Sequence, residues 1–184
     1  MTDKLIYQIG LTMINGVGDI LARHLLQTLD DAEAVFAEKQ QLLGRIPGIG
    51  SHLAAEIKRP EILQRAEKEL AFIEKNNISC YYLTDAAYPA RLRECPDAPI
   101  LFYFKGNTNL DASRIISVVG TRNATEYGRG LTESLIKDLA EAIPNLLVVS
   151  GLAYGIDICA HRSALHNQLP TVAVLAHGLD RIYP

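Results

Sequence analysis

Up to about Asn76, apolar residues recur at spacings of three and four, punctuated by glycine pairs, and no run of strand type interrupts them. That is the pattern of packed helices. From Ile78 onward the period changes, and short runs rich in Val, Ile, Leu and aromatic residues alternate with helical stretches. The change follows a helix predicted over residues 60–75, with Pro60 at the first helical position and an apolar stripe at Ile62, Ala66, Leu70 and Ile73. Asn76-Asn77 supplies a left-handed stop.

After that stop come a short strand at 79–83, a stretch marked by Tyr88-Pro89, Pro96 and Pro99, and a second run at 100–104 ending in the turn Lys105-Gly106-Asn107. The remainder alternates: strand 115–119, helix 126–142, strand 146–149, helix 156–166, strand 171–175. Leu131, Leu135 and Leu139 are the expected buried stripe of the first of these helices, and Ile156, Ala160 and Ala164 that of the second. Strands of nearly continuous Val, Ile and Leu suit a parallel sheet covered on both faces. The expected fold is therefore α/β: a βαβαβ unit forming one half of a Rossmann-like sheet with helices on both faces, preceded by an all-α domain. The expected division is 1–76 and 77–184.

Composition narrows this picture little. The chain has 184 residues and a formal net charge of −3, which excludes a globally basic nucleic-acid binder and makes any anion binding local. Cys80, Cys95 and Cys159 contain no C-x-x-C, so they are expected to be small buried or half-buried residues rather than disulfides or zinc ligands. No segment approaches the roughly 18 apolar residues that would span a bilayer, and a soluble cytoplasmic protein without a membrane partner is expected.

In the first half, Ile14-Asn15-Gly16-Val17-Gly18 and Ile46-Pro47-Gly48-Ile49-Gly50 each precede a helix, at 20–29 and 52–58. Such turns reverse the chain in few residues and place backbone N–H groups at a helix start, where a phosphate can bind. The pair resembles a tandem helix-hairpin-helix domain, although the same glycines also serve helix packing or protein docking. Charge ranks the copies. Asp19 follows the first directly, where it would cap the helix and repel a phosphate, whereas the second has Ser51, with Arg45, His52, Lys58 and Arg59 nearby. Arg45 and Lys58 are accordingly candidate DNA contacts.

In the second half, three strand-end loops converge: Gly120-Thr121-Arg122-Asn123-Ala124-Thr125 followed by Tyr127-Gly128-Arg129-Gly130, then Ser150 to Asp157, then His177-Gly178. Parallel strands with right-handed crossovers bring these loops to one edge, the crevice where open α/β sheets bind ligands. Gly120 and Gly151 permit close backbone approach, Thr121 and Ser150 supply hydroxyls, and Arg122 supplies a forked cation suited to phosphate. No Walker loop and no G-x-G-x-x-G is present, which argues against ATP or NAD, and no cofactor is expected. Asp157 and His161, four apart on one helix, could form an acid–base pair, but a helix-start carboxylate and an imidazole that fixes the loop is the favoured reading. His166 and His177 show no metal-ligand spacing with His161. No catalytic residue is assigned.

The strings Val119-Gly120-Thr121-Arg122, Ser150-Gly151-Leu152-Ala153-Tyr154-Gly155-Ile156-Asp157 with Ala160-His161, and Thr171 to Leu175 with Gly178-Leu179-Asp180 and Tyr183-Pro184 resemble the DNA processing protein A (Smf) family. So do Tyr88-Pro89, Leu92, Pro99 with 101–106, and the helix-hairpin-helix prelude. The resemblance implies a SAM-like helical domain followed by a Rossmann-like domain that binds single-stranded DNA, protects incoming strands in natural transformation and helps load the RecA recombinase. Carried over, it makes Gly120, Thr121, Arg122, Ser150, Gly151, Ala153 and Gly155 the DNA-binding positions, Thr121 standing where many members have Ser. Tyr127 or Tyr154 is expected to stack a base. Family members continue past the Tyr-Pro step, so the resemblance implies an N-terminal part of a longer protein, whose sheet edge would invite self-association. The rival readings are a nucleotide-processing enzyme of the Lonely-guy type, whose Gly-Gly-x-Gly-Thr string and following Glu are absent here, and a protein-interaction module without DNA binding.

Overall fold

The computed structural model describes residues 2–181; Tyr183-Pro184 of the last motif lies outside them. Two compact units divide the chain, Met1–Gly106 and Asn107–Pro184.

The first unit contains six helices, α1 (Thr2–Thr12), α2 (Asp19–Leu29), α3 (Ala32–Ala37), α4 (Gln40–Leu43), α5 (Gly50–Ile57) and α6 (Pro60–Lys75), then strand β1 (Ser79–Tyr82), the one-turn helix α7 (Ala90–Arg93) and strand β2 (Leu101–Phe104). Helix α6 has the predicted limits and buries Ile62, Ala66, Leu70 and Ile73, and Asn77 stops it at φ 52°. It packs against α1, which also contacts α3 and β2. The strands pair antiparallel, Tyr82 opposite Leu101, and both are buried. The change of periodicity at Asn76 thus marks where strands begin, while the compact unit runs on to Gly106.

The stretch between the strands is tied to the first glycine hairpin. Asp19 accepts the Ile100 N–H at 2.9 Å, and the Arg23 guanidinium donates to the carbonyls of Cys95 and Ala98 at 3.2 and 3.0 Å. Gly18, not Asp19, is the N-cap of α2 and, lacking a side chain, makes no side-chain cap bond, while the Asp19 carboxylate accepts from Ile100. Tyr88 is 1% exposed and donates its hydroxyl to the Pro99 carbonyl at 2.7 Å.

The second unit contains β3 (Ile115–Ser117), α8 (Glu126–Ala142), β4 (Leu147–Ser150), α9 (Ile156–His166) and β5 (Thr171–Ala173), the strands forming a parallel sheet in the order β3-β4-β5. Ile116 pairs with Val148, and Val149 with Val172. One core joins Ile136 of α8, Ala160 and Ala164 of α9, and Leu146, Val148 and Leu169, with Ile116 and Val118 against it. Residues two apart on a strand share a face, so both helices cover the same face. This corrects the expectation of helices on both faces. Two right-handed crossovers stepping in one direction across a sheet deliver both helices to one side.

A second correction concerns α8. Its buried line is Thr132 and Ile136, continued by Leu139, Ala140 and Ile143, whereas Leu131 and Leu135 are exposed. The helix carries two overlapping apolar rows, and contact with α9 and β4 selects the one containing Ile136. Strands β3 and β5 also end short of prediction, leaving Val119 and Val174 exposed. Cys159 is buried and Cys80 half-buried, where burial pushes its thiol up to about 11; Cys95, expected to be shielded, is exposed. Among the described residues no helix is long and apolar enough to cross a membrane.

Candidate functional site

The carboxyl ends of the three parallel strands bring the segments after β3, β4 and β5 to one edge. The first two are locked to the start of α9: the Ile156 N–H donates to the Thr121 carbonyl at 3.2 Å. A β-carbon on Gly120 would lie 2.5 Å from that of Ile156, so only glycine lets the loop approach the helix this closely. Gly155, the N-cap of α9, has φ +85° and is buried; a β-carbon there would lie 2.1 Å from the Thr121 carbonyl oxygen. Both glycines act by shaping the edge.

At the centre of the edge sits Asp157, in the first turn of α9 and 6% exposed. Its Oδ1 accepts the Gly120 N–H at 3.3 Å and its Oδ2 accepts the Ala153 N–H at 3.4 Å, and Oδ2 lies 2.8 Å from where a Gly151 β-carbon would be. The protein's own carboxylate therefore occupies the place where loop N–H groups and a helix start were expected to receive a phosphate. The sequence places Asp157 at the helix start without revealing this clamp. Its signal is an acidic residue one turn after two glycine-containing loops whose donors need an acceptor.

Ser150 is likewise committed inward: it is 2% exposed and donates its hydroxyl to the Val118 carbonyl at 2.7 Å, pinning β4 to the end of β3. This corrects the expectation that it offers a hydroxyl to a ligand. Thr121 is exposed, and its Oγ1 accepts the Asn123 N–H at 3.2 Å. Arg122 is exposed and pairs with no carboxylate among the described residues. Tyr127, in the first turn of α8, is 79% exposed, and Tyr154 is 55% exposed. The arrangement thus offers a cation, backbone and aromatic faces around a buried carboxylate, so an anion fits at the rim by Arg122 and not over Asp157.

His161 is held to the sheet. Its Nδ1 lies 2.7 Å from Thr171 Oγ1, whose own hydrogen goes to the Val148 carbonyl at 2.9 Å. The hydroxyl therefore accepts from Nδ1–H, which leaves Nε2 as the unprotonated nitrogen, buried and without a partner. Burial lowers the imidazole pKa below its ordinary value, and Asp157 opposes this in part. The imidazole is hydrogen-bonded, as the favoured sequence reading has it, but it is buried and fixes β5 to α9 rather than the loop.

The remaining predicted residues lie in the first unit. Arg45 is exposed beside the second hairpin. Lys58 is half-buried and donates its ammonium to the Phe36 carbonyl, so it faces inward, in contrast to the expected phosphate contact. Arg59 is paired with Glu56 and Glu61 at 3.3 and 3.6 Å.

Residues 79–184 match the family model for DNA recombination-mediator protein A. The chain is 34% identical over 162 residues to DNA processing protein DprA of Streptococcus pneumoniae, covering 88% of this chain and 55% of that protein. It is 32% identical over 186 residues to Protein Smf of Synechocystis, covering 97% and 45% respectively. The X-ray structure of DprA from Streptococcus pneumoniae superposes with a TM-score of 0.64 at 31% identity, covering 97% of this chain and 60% of that one. The chain thus spans about half the length of the curated relatives it matches.

Proposed function

The chain belongs to the DNA recombination-mediator protein A family, and from that premise we propose that it binds single-stranded DNA at the carboxyl edge of the β3-β4-β5 sheet and serves recombination and natural transformation by protecting incoming strands and helping to load the RecA recombinase. The observation that carries the reading is Arg122: an exposed guanidinium, without a carboxylate partner among the described residues, on a loop that glycines hold against the start of α9. The strand backbone would contact Arg122 and the exposed turn at Thr121, while Tyr127 would stack a base, worth about 1–3 kcal/mol. Gly120, Gly151, Ala153 and Gly155 contribute the shape of the edge, and Ser150 its rigidity.

The test is a titration with labelled single-stranded oligonucleotides at two salt concentrations. Arg122→Ala should weaken binding to every sequence alike and lower the salt dependence by about 0.7, the amount for one phosphate on a single strand. Unchanged affinity in that variant would remove the assignment.

A further inference from the structure

Asp157 and His161 stand four apart on α9 and therefore on one face of it. Both oxygens of Asp157 are engaged with the loops, but at 3.3 Å to the Gly120 N–H and 3.4 Å to the Ala153 N–H, beyond the usual range of about 2.7–3.2 Å. His161 is 5% exposed; its Nδ1–H goes to Thr171, and its Nε2 is buried without a partner. Burial lowers the proton affinity of the ring, and Asp157 is the charged group that opposes this. The elements packed on α9 bring no other charge to the ring: β4 and β5 carry no titratable side chain, and Arg129 and Glu133 of α8 meet the helix at Cys159. Arg162 and His166 of α9 itself are exposed.

We propose that Asp157 and His161 form a proton-operated latch on an anion seat: protonation of Nε2 draws the Asp157 carboxylate off the loops and opens the Gly120 and Ala153 N–H groups to a strand phosphate. With the ring neutral, Nε2 offers nothing to a carboxylate, and Asp157 stays on the two N–H groups, where it repels an approaching phosphate. A ring charged from solvent carries a proton on Nε2 that finds no acceptor as the loops stand. A charge-assisted bond to the carboxylate one turn away outweighs two long bonds from neutral amides. The vacated donors lie at the start of α9, on and beside the loop that carries Arg122, and a helix start holds anions. Linkage makes the effect reciprocal, so that acid tightens strand binding and a bound strand raises the proton affinity of the ring. The identity of the ligand rests on the single-strand reading above, whereas the latch itself rests on the side-chain arrangement.

The experiment follows the backbone amides of Gly120 and Ala153 and the His161 ring by NMR from about pH 8 to about pH 5.5. Over the same range, at constant ionic strength, a labelled single-stranded oligonucleotide is titrated into the unaltered chain, His161→Gln, Asp157→Asn and Arg122→Ala, each where circular dichroism shows it folded. The two amides should titrate together with the ring, and strand affinity should rise as pH falls, approaching about tenfold per pH unit, the limit for one linked proton. His161→Gln should bind with one affinity across the range, and its two amides should not titrate. Asp157→Asn, which has no charge to offer the ring, should also lose the pH dependence, whereas Arg122→Ala should bind more weakly at every pH and keep it. Amides in the unaltered chain that do not follow the ring, or an equal pH dependence in His161→Gln, would overturn the latch and leave the single-strand reading standing. Amides that follow the ring in a chain that binds no strand at any pH would uphold the latch and remove that reading. The amide titration needs the unaltered chain alone, so it decides the matter even where a variant unfolds.

Discussion

Asp157 reaches back 37 residues to accept the backbone N–H of Gly120, and with its second oxygen accepts that of Ala153, so that one buried carboxylate holds two strand-end loops in fixed relation. Removing it leaves the N–H groups of the exposed Gly120 and the half-buried Ala153 without their acceptor. Asp157→Ala should destabilise the second unit by about 1–3 kcal/mol, the cost of one orphaned shielded group, because water can reach the exposed Gly120 N–H, and Asp157→Asn, which keeps one acceptor oxygen, by less. Denaturant unfolding gives the magnitudes. Amide exchange at Gly120 and Ala153 should accelerate ahead of exchange in β4.

Gly155→Ala places a methyl group against the Thr121 carbonyl at a backbone angle that L-residues avoid. The strain should cost about 1–3 kcal/mol. If the edge binds a single strand, that variant should also lose affinity at temperatures where it remains folded, because the loop carrying Arg122 must move away from α9.

His161 gives the second unit a dependence on acidity. Its folded-state pKa lies below the ordinary imidazole value, so the unfolded chain takes up a proton first as pH falls. The stabilisation is complete above about pH 6.5, the unfolded value, and is lost as pH drops through the folded value, with a slope of up to about 1.4 kcal/mol per pH unit. Charging the ring adds a proton at Nε2, which has no acceptor. Urea unfolding at pH 7.5 and at successively lower pH should show this slope, and His161→Gln should flatten it.

The choice between the two apolar rows of α8 can be tested directly. Ile136 is 0% exposed and Leu135 46% exposed. Ile136→Ala should cost about 2–5 kcal/mol by leaving a cavity between the helices and β4, whereas Leu135→Ala should stay within about 0.5 kcal/mol. Thermal melts of the two variants separate the rows.

The α8 example shows where sequence reading succeeds and where it stops. Helix α6 has one apolar stripe, a proline at its start and two asparagines at its end, so its limits and buried residues follow from local chemistry alone. Helix α8 has two rows that both satisfy helical spacing, and only its neighbours decide between them. The number of covered sheet faces was equally undetermined, since Val and Ile runs report burial but not the direction in which successive crossovers step. Gly120 and Gly151 could be read as close-approach positions because a missing side chain has few other uses, whereas the positive φ of Gly155 could not. Ser150 and Lys58 could not be read, because their polar atoms serve the ligand or the scaffold according to which way the backbone turns them. In this chain they serve Val118 and Phe36.

The ties from Asp19 to Ile100 and from Arg23 to Ala98 span 81 and 75 residues. During synthesis, α2 leaves the ribosome long before the segment that receives it. Local helices can form as soon as they emerge, but the N-terminal unit can close only after residue 100 is free of the exit tunnel, and that long loop must be drawn shut at the entropic cost of its length. The order of translation thus builds a waiting period into this unit, in which the Asp19 carboxylate and Arg23 guanidinium remain in water until their partners are made.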